Sequence, residues 1–371
     1  MKILKIIFFN IIILSLLIIL SEIGWRVALT IKNYNIPVLS YFGKTWYRAD
    51  PNLRSSNKLG KFDDKLIQSL KSNLEIIDVE IPRFEKNARI SSDSLGFRNN
   101  FNNMKFENNK LRILTVGDSF TFGDQVSDQS TWPSCLEREL KIKTDNGGFG
   151  GYSAGQSVRK GIIESEKRKY SHIIWSIFFH DFERDFSKNL IISNQNGKLE
   201  FNNNIENKEN KVSTQESLLY GYLKEYSFLV YHFDYKIIPR IKNIFKNKRG
   251  KENKNLEKEE TFYGIEYSSL ERNIEFLLKE FNEIDIEKKI ILYQYGEDFK
   301  KSKYLIMNEK VKTIINKYLK NYDILVIDTS NEFFKLDDKK LRLLWFDHHT
   351  AYGNEIVCKY IISKMKANKF D

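Results

Sequence analysis

The chain is short of the residues that fix small proteins from outside a core. Among 371 residues there are two cysteines, five histidines and five prolines. Cys135 and Cys358 stand far apart in no ligand-like spacing, which excludes a disulfide-rich framework and a cysteine-based zinc module. Neither a metal nor a cofactor is expected. Each cysteine falls in a stretch that reads as helix, which favours two buried thiols over a disulfide. A concentrated patch of one charge is missing too. Lys+Arg 60 against Asp+Glu 49 gives +11, but the basic residues are diluted through Lys-, Asn- and Ile-rich sequence. Nucleic-acid binding calls for clustered Lys and Arg with interleaved aromatics, so no nucleic-acid partner is expected. Weak attraction to an anionic membrane surface or an acidic polysaccharide is what the excess allows.

Long apolar runs are scarce as well, and the exception is at the start. Ile6 to Leu20 is apolar except for Asn10 and Ser15, and the character extends to Trp25. That length lies between a signal-peptide core and a full span of about 20 residues. No small-x-small cleavage site follows; the chain continues Ser21-Glu22-Ile23-Gly24-Trp25-Arg26. A retained N-terminal transmembrane helix is therefore favoured over a cleaved signal. Lys2 and Lys5 favour a cytoplasmic N-terminus, although Arg26 and Lys32 blunt the asymmetry. The expectation is a single-pass cell-membrane protein with an extracytoplasmic body. Its divisions are an anchor at 1–28, a stalk and lead-in at 29–109 that packs on the main domain, and that domain at 110–371. In the lead-in, Leu66, Leu70 and Leu74 have helical spacing.

A hydrophobic content of 41% with 27 Phe is ample for a core. From Leu111 onward, strands alternate with helices. Strands are expected at 113–116, 172–179, 289–295 and 324–329. Helices are expected at 134–140, 156–169, 270–281 and 308–319, with a last one running from a Thr350 cap to about Lys364. Asn196-Gly197 between two short apolar runs reads as a hairpin. An insertion occupies about 195–265: 202–212 is polar, 218–238 aromatic-rich and helical, and 242–260 a charge run without periodicity. Alternation of this kind implies an α/β fold, a parallel sheet with helices on both faces.

Four segments would meet at the C-terminal edge of that sheet: Ser119 in Gly117-Asp118-Ser119, the glycine-dense loop ending at Gly151, His180-Asp181, and Asp347-His348-His349. Acyl transfer through serine needs a nucleophile, a base within hydrogen-bond reach, a group to orient the base, and donors aimed at the developing oxyanion. Ser119 is the candidate nucleophile. Asp347 and His349 lie two apart on one face of an extended segment, which favours that pair as orienter and base; His348 is the alternative base. The N–H groups of Ser119 and Gly151, with the His180 side chain, are the candidate oxyanion donors. His172 and His232 read as structural.

Here the sequence resembles the SGNH (GDSL-type) hydrolase family. Gly117-Asp118-Ser119 is similar to its first block, and Asn146 with Gly151, Tyr152-Ser153 and Gln156 to its second. Phe178-Phe179-His180-Asp181 falls where the third reads Asn-Asp, so His180 replaces an oxyanion-donating Asn. His348-His349-Thr350-Ala351-Tyr352-Gly353-Asn354 is similar to the last block, and counting back from Thr350 and Gly353 puts the family's base on His348. The resemblance covers roughly 90–371 without the insertion. It implies a three-layer α/β/α flavodoxin-like sheet and a serine esterase or deacylase acting on acyl esters. Ser94-Leu95-Gly96-Phe97-Arg98 and the N-terminal anchor resemble a membrane-attached bacterial subgroup linked to surface polysaccharide, which makes an O-acyl group of a glycan the expected substrate. O-acyl transfer to a polysaccharide would use the same residues. A catalytically decayed scaffold of an envelope assembly is the third reading, motivated by His180 and the Asp/His block.

Overall fold

The computed structural model describes residues 2–33, 59–75, 77–79, 88–100, 106, 111–188, 190–194, 196–203, 205, 261–262, 265–296, 302–346 and 348–370. The expected helix at 218–238, the charge run at 242–260 and His232 lie outside them.

The first element, α1 (Lys2–Asn33), is one continuous helix. Its large apolar side chains between Phe8 and Leu20 are exposed, from 40% at Ile12 to 66% at Phe8. Among the described residues, no helix is long and apolar enough to cross a membrane.

Residues 59–79, 87–207 and 258–371 belong to a second compact unit. Its centre is a sheet of β1 (Arg112–Val116), β2 (Lys143–Asn146), β3 (His172–Ile177), β4 (Lys288–Tyr293) and β5 (Ile324–Asp328), in spatial order β5-β4-β3-β1-β2. Every neighbouring pair is parallel. This is the flavodoxin-like order, in which the chain reverses direction across the sheet between β1 and β3 and opens a crevice at their carboxyl ends. All six residues of β3 are buried, as expected of a central parallel strand covered on both faces. Register sets Leu114 of β1 against Ile173 of β3, and Ile174 of β3 against Ile290 of β4. Each such side chain contributes about 1.5–3 kcal/mol on full burial.

Among the helices of this unit are α2 (Ser119–Phe122), α3 (Trp132–Leu140), α4 (Ala154–Lys167), α5 (Asp181–Lys188), α6 (Tyr267–Glu283), α7 (Ser302–Leu319) and α8 (Ala351–Ala367), with two single turns, Ser330–Phe333 and Asp338–Leu341, between α7 and α8. One packing group joins α3 to α8; the other joins α4 to α5 and α6, and α6 to α7. The two groups cover the sheet in three α/β/α layers. Caps written in the sequence set several boundaries. Ser153 and Gln156 form a reciprocal capping box on α4, and Thr350 accepts from Gly353 N at the start of α8.

Two expectations are overturned. Cys135 and Cys358 form a disulfide, with Cα atoms 6.1 Å apart. Both do sit in helices, α3 and α8, but those helices lie side by side, a tertiary fact that residue spacing does not carry. The Leu66–Leu70–Leu74 stretch is not helical. Gly60–Asp63 and Ile67–Leu70 pair as an antiparallel hairpin. Asp63 Oδ1 accepts from Lys65 N and Leu66 N in its turn, and Ile67 holds a positive φ of 68°. The short-range bonds of the turn win over the helical spacing. The Asn-Gly hairpin is present, pairing Ile191–Ser193 with Leu199–Phe201.

Candidate active site

Ser119 stands where β1 ends. Asp118 caps the single turn of α2, its Oδ1 accepting from Phe120 N at 3.0 Å, and Gly123 closes the turn in the left-handed region. Asn146, at the end of β2, donates through Nδ2 to Thr121 O at 3.1 Å and accepts from Gly148 N. The second sequence block thus buttresses the first. Behind the turn, the fully buried Arg98 donates to Phe122 O, Gly123 O and Val126 O at 2.6 to 2.7 Å and pairs with Asp128 at 2.7 Å. The lead-in motif Ser94–Arg98 therefore clamps the exit of the Ser119 turn.

The C-terminal block reaches Ser119 from 229 residues away. Trp345–Phe346 and His348–His349 pair as a two-residue antiparallel ribbon, which puts the two histidines on opposite faces. His348 Nε2 lies 2.8 Å from Ser119 Oγ. His349 points into the core, where Phe120, Phe333 and Trp345 box its ring. Its Nε2 is 3.1 Å from Gln294 Oε1. Burial, and then the neighbouring His348, push its pKa down to about 3, so it is neutral and donates to Gln294. The preference for His349 as the base is thereby corrected. Alternation separates the two rings as expected, but the face opposite Ser119 carries His348. Asp347 lies outside the described residues.

A neutral His348 with its proton on Nδ1 presents Nε2 as acceptor to the Ser119 hydroxyl, the arrangement required for removing that proton during attack. Ser119 is only 6% exposed, and Phe120 packs at 5.0 Å from each histidine ring.

His180 sits at the start of α5. Its Nδ1 is 3.5 Å from Glu183 Oε2, and its ring centroid is 4.1 Å from Phe179, 5.3 Å from Phe178 and 5.9 Å from Tyr304. Burial lowers its pKa against the opposing effect of Glu183, which favours the neutral ring. Asp181, next along, is fully buried and its pKa lies well above the usual carboxylate range, through burial first and the Asp118 charge second. One nitrogen offsets this: Arg184 Nη1 reaches Asp181 at 2.7 Å, Asp118 at 3.3 Å and Tyr152 O at 2.8 Å. A single guanidinium thus ties together the first three sequence blocks. Nothing in the sequence around Arg184 marks it; a basic residue on a charged helix is usually a solvated one. His172 is a packing residue, its ring 2.6 Å from Phe370 O and 2.8 Å from Ser171 Oγ.

No family model matches the sequence, and no curated protein matches it. Solved structures do resemble it. One is a lipolytic protein of the G-D-S-L family from Desulfitobacterium hafniense, at 13% identity over 68% of this chain and 98% of that one, with a TM-score of 0.39. Another is a catalytic mutant of an acetylxylan esterase from Geobacillus stearothermophilus, at 14% identity over 69% and 94%, with a TM-score of 0.38. A third is a lipase/acylhydrolase from Enterococcus faecalis, at 11% identity over 70% and 96%, with a TM-score of 0.39.

Proposed function

We propose that this chain is a serine ester hydrolase with Ser119 as nucleophile and His348 as base. The observation that carries the reading is the 2.8 Å contact between Ser119 Oγ and His348 Nε2. Ser119 Oγ attacks the ester carbonyl while His348 Nε2 takes its proton, and the carbonyl oxygen becomes an oxyanion held by the Ser119 and Gly151 N–H groups. The C–O bond to the alcohol then breaks, and His348 returns the proton to the leaving alcohol oxygen. Water repeats the sequence on the acyl-enzyme, releasing the acid and restoring Ser119. A decayed scaffold would have no reason to keep a half-buried imidazole at hydrogen-bond distance from a nearly buried serine, so the contact favours the enzyme.

The substrate we favour is an O-acyl group on a surface glycan. Half-buried Phe178 and Tyr304 flank His180 and offer faces on which a sugar ring can stack. Membrane anchorage through α1 belongs to the same proposal. The run from Phe8 to Leu20 is exposed and almost wholly apolar, a pattern that water does not favour on all sides of a helix. The Cys135–Cys358 disulfide supports an extracytoplasmic body, because disulfides persist in oxidising compartments.

Ser119→Ala should abolish hydrolysis of p-nitrophenyl acetate in a protein that still unfolds cooperatively, and a fluorophosphonate probe should label the wild type at Ser119 alone. Turnover that survives the substitution rejects the assignment.

A further inference from the structure

Three consecutive carbonyls of the glycine loop are each taken by a side chain from elsewhere. Gly150 O accepts from Gln68 Nε2 at 3.3 Å, Gly151 O from Lys188 Nζ at 2.5 Å, and Tyr152 O from Arg184 Nη1 at 2.8 Å. Gln68 lies on the second strand of the 60–70 hairpin, and the hairpin is tied to the loop at more than one point. Tyr152 Oη donates to Gln68 O at 2.9 Å, and Gln156 Nε2 donates to Leu66 O. Gln156 Oε1 in turn accepts from Lys188 at 2.6 Å.

The described chain has no cis peptide. In the plane joining Gly150 to Gly151, the C=O and the N–H therefore point in opposite directions. Whatever fixes Gly150 O also fixes the Gly151 N–H. Two adjoining glycines place no Cβ in the way of turning this plane over, and the space beside Gly151, at φ +75°, is open. The loop cannot hold this orientation by its own sterics. A bond of the loop's own, from Tyr152 N to Phe149 O at 3.1 Å, closes a four-residue turn across this plane, but such a turn forms with its central plane in either orientation; the bond made to Gly150 O itself comes from outside, from Gln68.

We propose that Gln68 is a positioning residue of the active site: by holding Gly150 O toward the hairpin it aims the Gly151 N–H at the developing oxyanion. The role rests on the serine-hydrolase reading above. Lys188 and Arg184 hold the next two planes, so the loop cannot absorb a turn of the first by relaxing along its length. The hairpin ahead of the α/β sheet, which the sequence presents as lead-in, is then part of the apparatus that stabilises the transition state.

The test uses the full chain with Gln68→Glu, which keeps length and shape but sets an acceptor against an acceptor. Losing one oxyanion donor costs on the order of 100-fold or more in rate. The expected result is a fall of about that size in kcat for p-nitrophenyl acetate, with KM unchanged within about twofold and the thermal midpoint preserved. Gln68→Ala, which removes the donor without adding charge, should show the same split between kcat and KM. Crystal structures of wild type and Gln68→Glu supply a readout that does not need activity: the Gly150–Gly151 plane should be turned over in the variant. An unchanged kcat, or an unmoved plane, overturns the proposal. If the wild type itself hydrolyses no ester, a turned plane still upholds Gln68 as what sets the Gly151 amide and ends only the hydrolase reading; an unmoved plane ends both.

Discussion

The turn that carries Ser119 and the loop that carries Gly151 follow neighbouring strands, and they draw on local and distant bonds in different measure. The turn is formed by its own short-range bonds, and Asn146 and Arg98 only brace its outer carbonyls. Asp118 caps it, Asp118 O accepts from Thr121 N and Phe122 N, and Ser119 O accepts from Gly123 N. These bonds join residues no more than four apart, so the geometry follows from a Gly-Asp-Ser-x-x-x-Gly string. The loop has one turn bond of its own, Tyr152 N to Phe149 O, and its carbonyls at 150, 151 and 152 are held by Gln68, Lys188 and Arg184, between 32 and 82 residues away. A nucleophile can be placed by local chemistry, whereas an oxyanion donor on a flexible glycine pair has to be aimed by the rest of the fold.

Substitutions can break that comparison, and the largest effect belongs to the proposed base. His348→Ala should lower kcat by about 1000-fold, within the usual contribution of a positioned base, while His349→Gln retains most of the activity. Steady-state assays on a small acyl ester decide this, and the reverse ranking would return the base to His349. Next comes the covalent tie between α3 and α8, which follow the two reacting segments. Cys358→Ser should cost about 2–5 kcal/mol of stability, read as a lower thermal midpoint. An unshifted midpoint would mean that the bond does not form.

Gly148→Ala probes the seam where loop meets turn. An added methyl would lie 2.5 Å from Phe122 N and 2.7 Å from Thr121 Cβ, with backbone on one side that cannot give way cheaply. About 1–3 kcal/mol should be lost, together with activity, since the two regions are forced apart. Denaturant unfolding of the variant measures the first. A neutral result would show that the seam is looser than its contacts imply.

The smallest effect is that of acid on the packing histidine. His349 has a folded pKa depressed from 6.5 to about 3 by burial and by His348. A depressed group gives stability that is complete above its unfolded pKa and is lost as pH falls toward the folded one. At about pH 5.5 the loss should be about 1 kcal/mol. His349→Gln should flatten that slope in urea titrations from about pH 7.5 to about pH 5.5; an equal slope in both proteins would assign the acid sensitivity elsewhere.

The sheet was legible because its strands are short apolar runs between helix-periodic stretches, and a parallel α/β arrangement follows from their alternation. Ser119 was legible for the reason just given, its geometry being local. The choice between His348 and His349 was not. Strand periodicity says that adjacent residues face apart, and only the docking of the 345–349 ribbon on Phe120 says which face meets the serine. Arg98 shows a half-legible case: its motif stands out, yet its clamp on Phe122 O, Gly123 O and Val126 O appears only in three dimensions. Gln68 carried no signal, because an isolated glutamine in a mixed stretch has no pattern to report which carbonyl it will meet.

The Cys135–Cys358 bond has one practical result. The stretch it encloses contains β2 through β5, so a single protease cut at any point between positions 136 and 357 leaves two pieces that migrate together until a reductant is added. Ser119 would travel with the N-terminal piece and His348, for any cut before it, with the other. Reducing and non-reducing gels of a once-cut sample would therefore report whether Ser119 and His348 can be physically parted.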